Sequence, residues 1–274
     1  MSKRRPSKRH VPKGHSGQTE RPTGDGAQVE GRQAVRELLI SGQRQVKQLL
    51  IAQDQDSSEV LSDIRELAQM NRVLVTDVSK KRLMAEAVTA APQGVVARAE
   101  PITFVDLEDL VASENPMILV LDGVTDPQNF GAICRIAECA GVKGIVISER
   151  RSVRITPTVA KAAAGALEHV SIARVAGIPS AISALTDAGV LTVGLDAAGE
   201  IDIFDPSFPV EPPVALVLGR EGAGLSKLVR QRVDKLLAIP LIGSLNSLNV
   251  ASATAVATFE VVRRMQSVER NSTS

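Results

Sequence analysis

Met117–Leu121 (MILVL) and Val214–Leu218 (VALVL) are continuous five-residue runs of apolar side chains, free of glycine and proline. A strand with one solvated face alternates apolar and polar residues, so runs of this kind belong to strands covered on both sides. Around them the sequence alternates between the two periodicities. The patterning predicts further strands over 144–147, 170–175, 191–195 and 236–239, and helices over 130–140, 157–166, 179–188, 226–232 and 248–264. Thr156 before Pro157 reads as an N-cap with proline in the first turn. Such alternation implies an α/β fold with a mainly parallel sheet and helices on both faces.

Upstream lies a smaller α/β unit of about 70 residues. Helices are expected over 33–41 and 57–71 and after a cap at Ser79, with strands over 46–51, 73–76 and 95–97. The expected division is a basic disordered tail over 1–27, a first domain over 28–100, a linker over 101–116 with at most a helical turn, and a second domain over 117–274. No repeat of 20–50 residues appears, which excludes a solenoid.

The net charge of +1 conceals an asymmetry. Residues 1–24 hold seven Lys/Arg against Glu20 alone, which leaves −5 for the rest of the chain. A basic arm on an acidic body suits a polyanionic partner, although it equally serves as a solubilising tail. Lys80–Arg82 and the RRSVR run over 150–154 are further basic groups, read either as nucleic-acid contacts or as solvated faces. With five Phe and no Tyr or Trp, the core must be aliphatic, and a nucleic-acid site would lack stacking platforms.

No apolar run is long enough to cross a membrane, and no apolar stretch follows the basic N-terminus as in a secretory signal, so the expected address is the cytoplasm. Cys134 and Cys139, with His10, His15 and His169, form no metal-ligand pattern and no catalytic triad, so no metal is expected.

Three segments at strand ends carry polar chemistry. Leu121–Ala137 (LDGVTDPQNFGAICRIA) follows an apolar strand with turn formers at Asp122, Gly123, Asp126, Pro127, Asn129 and Gly131, and then places Arg135 in an apolar helix. The stretch 216–226 (LVLGREGAGLS) runs from a strand into Gly219, Glu221, Gly222 and Gly224. Its order is not that of the dinucleotide fingerprint and it has no P-loop lysine, so it reads as a tight ligand-binding turn. The stretch 239–251 (IPLIGSLNSLNVA) sets Ser244, Asn246, Ser247 and Asn249 before the last helix, where one cap needs only one such residue.

Taken in order, NxGxxxR (Asn129, Gly131, Arg135), LGxEGxGL (218–225) and IPxxGxxxSLNVA (239–251) resemble the three motifs of the SpoU/TrmH family, RNA ribose 2′-O-methyltransferases of the SPOUT class. GRQAVRELL (31–39) and QGVVA (93–97) are similar to that family's RNA substrate-binding domain, which is itself similar to small ribosomal proteins. The two-domain layout is most similar to members that methylate a guanosine ribose in 23S rRNA. Asn246 stands where relatives often carry an acid or a serine, and Pro92 where they often carry His.

The resemblance implies a C-terminal trefoil knot, an obligate homodimer and S-adenosylmethionine as cofactor. It implies cofactor contacts at Gly219, Ile239 and Leu248, and a catalytic set of Asn129, Arg135, Glu221, Ser247 and Asn249. Arg135 would favour the developing alkoxide electrostatically, since a guanidinium does not readily lose a proton. A tRNA substrate, and a non-catalytic RNA-binding assembly factor, are the alternatives. A dinucleotide-binding oxidoreductase is disfavoured because its fingerprint is missing.

Overall fold

The computed structural model describes residues 24–53, 58–207, 213–244 and 247–272. The basic arm over 1–23, Ser57 at the expected start of the second helix, and Asn246 lie outside them.

The N-terminal unit runs β1 (Gln28–Glu30), α1 (Arg32–Ser41), β2 (Val46–Ala52), α2 (Glu59–Met70), β3 (Val75–Val78), α3 (Lys80–Glu86) and β4 (Val95–Ala99). Its sheet has the order β1-β4-β2-β3, with β4 antiparallel to both neighbours and β3 parallel to β2. Alternation along β4 sorts the two faces. Val95, Ala97 and Ala99 meet Leu38 of α1 and Ile64 of α2, while Val96 meets Leu83 of α3. Ser79 caps α3 as the sequence suggests, accepting the Arg82 N–H at 3.3 Å.

After α4 (Leu107–Val111) comes the larger unit: β5 (Met117–Leu121), α5 (Pro127–Cys139), β6 (Gly144–Ser148), α6 (Pro157–Ala163), β7 (Ser171–Val175), α7 (Ile178–Asp187), β8 (Leu191–Leu195), β9 (Ile201–Asp202), β10 (Val214–Leu218), α8 (Lys227–Arg232), β11 (Lys235–Ala238) and α9 (Val250–Ser272). The sheet is parallel throughout, in the order β7-β6-β5-β10-β8-β11-β9. The two apolar runs are neighbours in register, from Met117↔Val214 to Leu121↔Leu218, and every residue of both is buried. Leu119 and Leu216 face Phe130 and Ile133 of α5, whereas Ile118 and Val217 face Ile182 and Leu185 of α7. Among the described residues no helix is long and apolar enough to cross a membrane.

Several details differ from the sequence reading. Thr156 occupies the N-cap position of α6, but its hydroxyl is buried without a hydrogen-bond partner and makes no cap bond. Helix α5 starts three residues early, at Pro127, because Asp126 caps it by accepting the Asn129 N–H at 2.7 Å. Helix α9 starts at Val250 rather than 248 and continues past 264 to Ser272.

The tail boundary also shifts, because residues 24–27 are held by distant partners. Asp25 pairs with Arg174 at 2.7 Å, the Gly26 N–H donates to the Ile155 carbonyl at 2.7 Å, and Ala27 is buried. The stretch 101–116 is more than a connector, since Leu107 and Leu110 of α4 pack into the core beneath β5 and β6. β1 and β9, of three and two residues, carry too little pattern to be seen in sequence.

The two units meet across a continuous core that includes Leu38 and Val159. A nearly buried ion pair, Arg44–Glu168, spans the junction, and Lys161 of α6 donates to the Ala91 carbonyl.

Candidate functional site

Strand order reverses between β5 and β10. From β5 the sheet grows outward through β6 and β7, and later strands fill the other side. Open parallel sheets bind ligands at the carboxyl ends of the strands at such a reversal. There a cleft of about 290 Å3 opens beyond β8, β10 and β11. Its apolar lining includes Leu195, Leu218, Leu225, Ile239 and Leu248, and its polar side includes Asp196, Glu221, Arg230 and Ser247.

The loop after β10 folds back on itself. Arg220 N–H donates to the Gly224 carbonyl at 3.0 Å, and Gly224 N–H returns a bond to the Arg220 carbonyl at 2.8 Å. This closure explains Gly219, where a Cβ would fall 2.1 Å from the Gly224 carbonyl carbon and 2.3 Å from the Leu225 nitrogen. Asp122, the first residue after β5, braces the loop by accepting the Ser226 N–H at 2.7 Å.

A chain of side-chain hydrogen bonds joins the three polar segments. The Asn129 amide nitrogen donates to Glu221 Oε2 at 3.0 Å, and its Oδ1 accepts from Asn249 Nδ2 at 2.9 Å. Asn249 Oδ1 in turn accepts the Ala251 N–H at 2.9 Å and so caps α9. The two amides are oriented so that each NH2 donates to an oxygen and each Oδ1 accepts from an N–H. Residues 92 and 120 positions apart are thereby held together in a solvent-exposed cluster.

Gly131, the middle residue of NxGxxxR, serves packing. A Cβ there would come within 2.4 Å of Ala162 Cβ, so only glycine lets α5 lie this close to α6.

The structure thus unites Asn129, Glu221 and Asn249, and places Gly219, Ser247, Ile239 and Leu248 on the cleft. It does not bring Arg135 into either group. That side chain projects from the outer face of α5, exposed, with no ion-pair partner among the described residues. Beside it, burial pushes the Cys134 thiol well above its ordinary range, so Cys134 is a packing residue. Both cysteines are free, and among the described residues no group of three or more His, Cys, Asp or Glu is placed to hold a metal ion.

Sequence reasoning missed Asp196 and Arg230, which pair at 2.7 Å on the cleft wall, and Arg220. Asp196 follows the end of β8 just as Asp122 follows β5. An acid directly after an apolar strand is a signal the sequence does offer.

Fold and cleft define an α/β protein with a ligand site at a parallel-sheet reversal and a second α/β domain attached beside it. Residues 116–259 match the model of the SpoU rRNA Methylase family, and residues 28–105 match that for RNA 2′-O ribose methyltransferase substrate binding. The chain belongs to the SpoU/TrmH family of RNA methyltransferases, with a SPOUT-like C-terminal domain.

Among relatives, it is 36% identical over 242 residues to a Staphylococcus saprophyticus protein assigned to the TrmH family of tRNA/rRNA methyltransferases, covering 86% of this chain and 95% of that one. It is 35% identical to the 23S rRNA (guanosine-2′-O-)-methyltransferase RlmB of Photobacterium profundum, covering 87% of this chain and 98% of that protein. Among solved structures, the SpoU methyltransferase AviRb of Streptomyces viridochromogenes in complex with AdoMet superposes with a TM-score of 0.73 at 29% identity, over 86% of this chain and 89% of that one.

Proposed function

We propose that this protein transfers the methyl group of S-adenosylmethionine to a ribose 2′-hydroxyl of RNA, at a guanosine of 23S rRNA, and acts as a homodimer. The observation that carries this reading is the hydrogen-bonded chain Asn249–Asn129–Glu221 at the mouth of a cleft with an apolar floor and a polar wall. The cleft suits a nucleoside-bearing cofactor: leucine and isoleucine side chains for a flat base, and the carboxylates of Asp196 and Glu221 for hydroxyl donors. The cofactor supplies an electrophilic methyl on a sulfonium leaving group.

The chain's own residues then have two tasks, in-line positioning and favouring loss of the hydroxyl proton. Gly219, Ile239 and Leu248 bind the cofactor. Asn129, Ser247 and Asn249 orient the ribose, and Glu221 holds Asn129 in place. Arg135, whose guanidinium has no partner among the described residues, stabilises charge developing on the attacking oxygen and its neighbouring phosphate. The 23S rRNA guanosine assignment draws on the RlmB relative and on the attached substrate-binding domain. The tRNA reading draws on the combined tRNA/rRNA naming of the Staphylococcus relative.

The test is transfer of labelled methyl from S-adenosylmethionine to unmodified 23S rRNA and, separately, to unmodified tRNA, followed by alkaline hydrolysis. Label in alkali-resistant linkages of 23S rRNA alone is the expected result. Label in tRNA alone overturns the substrate and keeps the chemistry. RNA binding without transfer to either leaves an RNA-binding assembly factor.

A further inference from the structure

The loop between β6 and α6, residues 149–156, contains three arginines that the proposed chemistry does not use. Arg150, Arg151 and Arg154 are all exposed, and none of their guanidinium groups has a hydrogen-bond or ion-pair partner among the described residues. Nearby cations are differently placed. Arg174 is held by Asp25 at 2.7 Å and lies over the Phe104 ring, Arg44 is held by Glu168, and Lys161 is held by the Ala91 carbonyl. In a body whose net charge is negative beyond residue 24, three guanidiniums within five residues stand without a partner among the described residues.

The loop backbone is also fixed in place. The Ser148 hydroxyl donates to the Arg150 carbonyl, and the Ser152 hydroxyl donates to the Ser148 carbonyl. Val153 and Ile155, on either side of Arg154, are buried as anchors. Arg151 is held at a φ of 58°, a left-handed conformation that costs a side-chain-bearing residue energy unless its surroundings impose it.

The pinning points run from the candidate site to the domain junction. Val153 N–H donates to the Val124 carbonyl at 3.2 Å, on the loop that leads into Asp126 and Asn129. At the other end, Ile155 N–H donates to Asp25 Oδ1 at 2.9 Å, where the N-terminal domain begins.

We propose that Arg150, Arg151 and Arg154 form a preset phosphate-binding collar that grips the RNA backbone next to the target nucleotide, on its path between the two domains. Guanidinium groups suit phosphodiester oxygens because their N–H forks match them in pairs. A chain without Tyr or Trp must hold RNA largely through phosphate and 2′-hydroxyl contacts. The acid adjoining the trio in sequence is Glu149, exposed and bonded through its backbone to Val175. The collar deepens the methyltransferase reading by naming how the RNA is held, but its binding test does not depend on catalysis.

The experiment compares the full chain with the triple variant Arg150→Gln, Arg151→Gln, Arg154→Gln and, as control, Lys143→Gln, Lys235→Gln, two exposed lysines at the amino ends of β6 and β11, at the end of the sheet opposite the loop. RNA affinity for unmodified 23S rRNA and tRNA transcripts is measured across salt concentrations, with S-adenosylmethionine affinity and thermal midpoint as checks of folding. The collar variant should bind RNA about 10- to 100-fold more weakly near physiological salt, with the log–log salt slope reduced by roughly 2 units, while the control changes little. Cofactor affinity should stay unchanged.

An unchanged slope in the collar variant, or an equal loss in the control, overturns the proposal while leaving methyl transfer by the wild type intact. Loop-dependent RNA binding by a wild type that transfers no methyl keeps the collar and removes the methyltransferase reading. Wild-type protein that binds neither RNA removes both. Should the triple variant fail to fold, Arg150→Gln and Arg154→Gln singly should each lower the slope by about 0.7, and no change in either overturns the proposal.

Discussion

Two polar clusters, one in each domain, look alike on paper and differ in how completely they are satisfied. In the N-terminal sheet Glu30 is fully buried and accepts the Val88 N–H at 2.6 Å, the Thr89 N–H at 2.9 Å, the Thr89 hydroxyl and the Gln28 amide at 2.8 Å. Arg98, also buried, joins the set through Glu86 at 2.7 Å and Gln48 at 3.3 Å, with its Nε alone left without a partner. At the strand ends of the larger sheet, Asn129, Glu221 and Asn249 share two side-chain bonds and Asn249 also caps α9, while Glu221 and Asn249 are exposed and Asn129 is half-buried. A buried carboxylate surrounded by donors is consumed by the fold, because any lost partner leaves a desolvated group behind. An exposed cluster with spare lone pairs and hydrogens keeps its capacity for a ligand.

The comparison can be broken at either end. The largest effect is expected from Arg135→Ala, which should lower methyl transfer about 10²- to 10³-fold, the cost of removing one charge-stabilising group, with S-adenosylmethionine affinity preserved. Normal turnover in a single-turnover assay would remove Arg135 from the chemistry. In the closed cluster Glu30→Ala should cost about 2–4 kcal/mol in urea unfolding, because it strands several buried donors. Its turnover per folded molecule should be unaffected, and a selective loss of turnover would show that the cluster is not purely structural.

A third test uses Glu260 on α9, a carboxylate in the catalytic domain that is satisfied like Glu30. Bonds from Arg263 at 2.7 Å and Arg264 at 2.6 Å hold its pKa down at about 2, from an ordinary 4.5. The folded value lies below the unfolded one, so the stabilisation is fully present above about pH 4.5 and is lost as pH falls towards 2. Glu260→Gln should therefore unfold about 2 kcal/mol more easily at pH 7, and the gap should close as pH approaches 2. A gap independent of pH would assign its role to packing. The smallest effect is expected from Asn129→Ala, about a tenfold loss of turnover, equivalent to one or two hydrogen bonds of ~1 kcal/mol. Stability should change little because the cluster is exposed, and a large destabilisation would place it with Glu30.

Legibility followed the same division. Met117–Leu121 and Val214–Leu218 announced a doubly covered sheet because burial on both faces leaves no room for polar side chains. The stretch 239–251 was legible as polar excess where one cap would suffice, and Asn249 does serve as that cap. Asp126–Pro127 carried the same start signal read at Thr156–Pro157, yet only Asp126 uses its side chain to cap. Residues 24–27 were misassigned because their partners, Ile155 and Arg174, lie far along the chain. Glu30 was invisible because local patterning places a carboxylate outside, and only the donors of 88–89 and Gln28 make its burial tolerable.

The sequence by itself determined the layers, since periodicity and capping act within a few residues and each element carries its own apolar face. It also determined the family, through three motifs in fixed order. Only the tertiary structure decided that β10 lies between β5 and β8, that Glu221 reaches Asn129 across 92 positions, and that Arg135 stands apart from both. These are contacts between segments distant in the chain, and their energies depend on which surfaces are buried together rather than on any local preference.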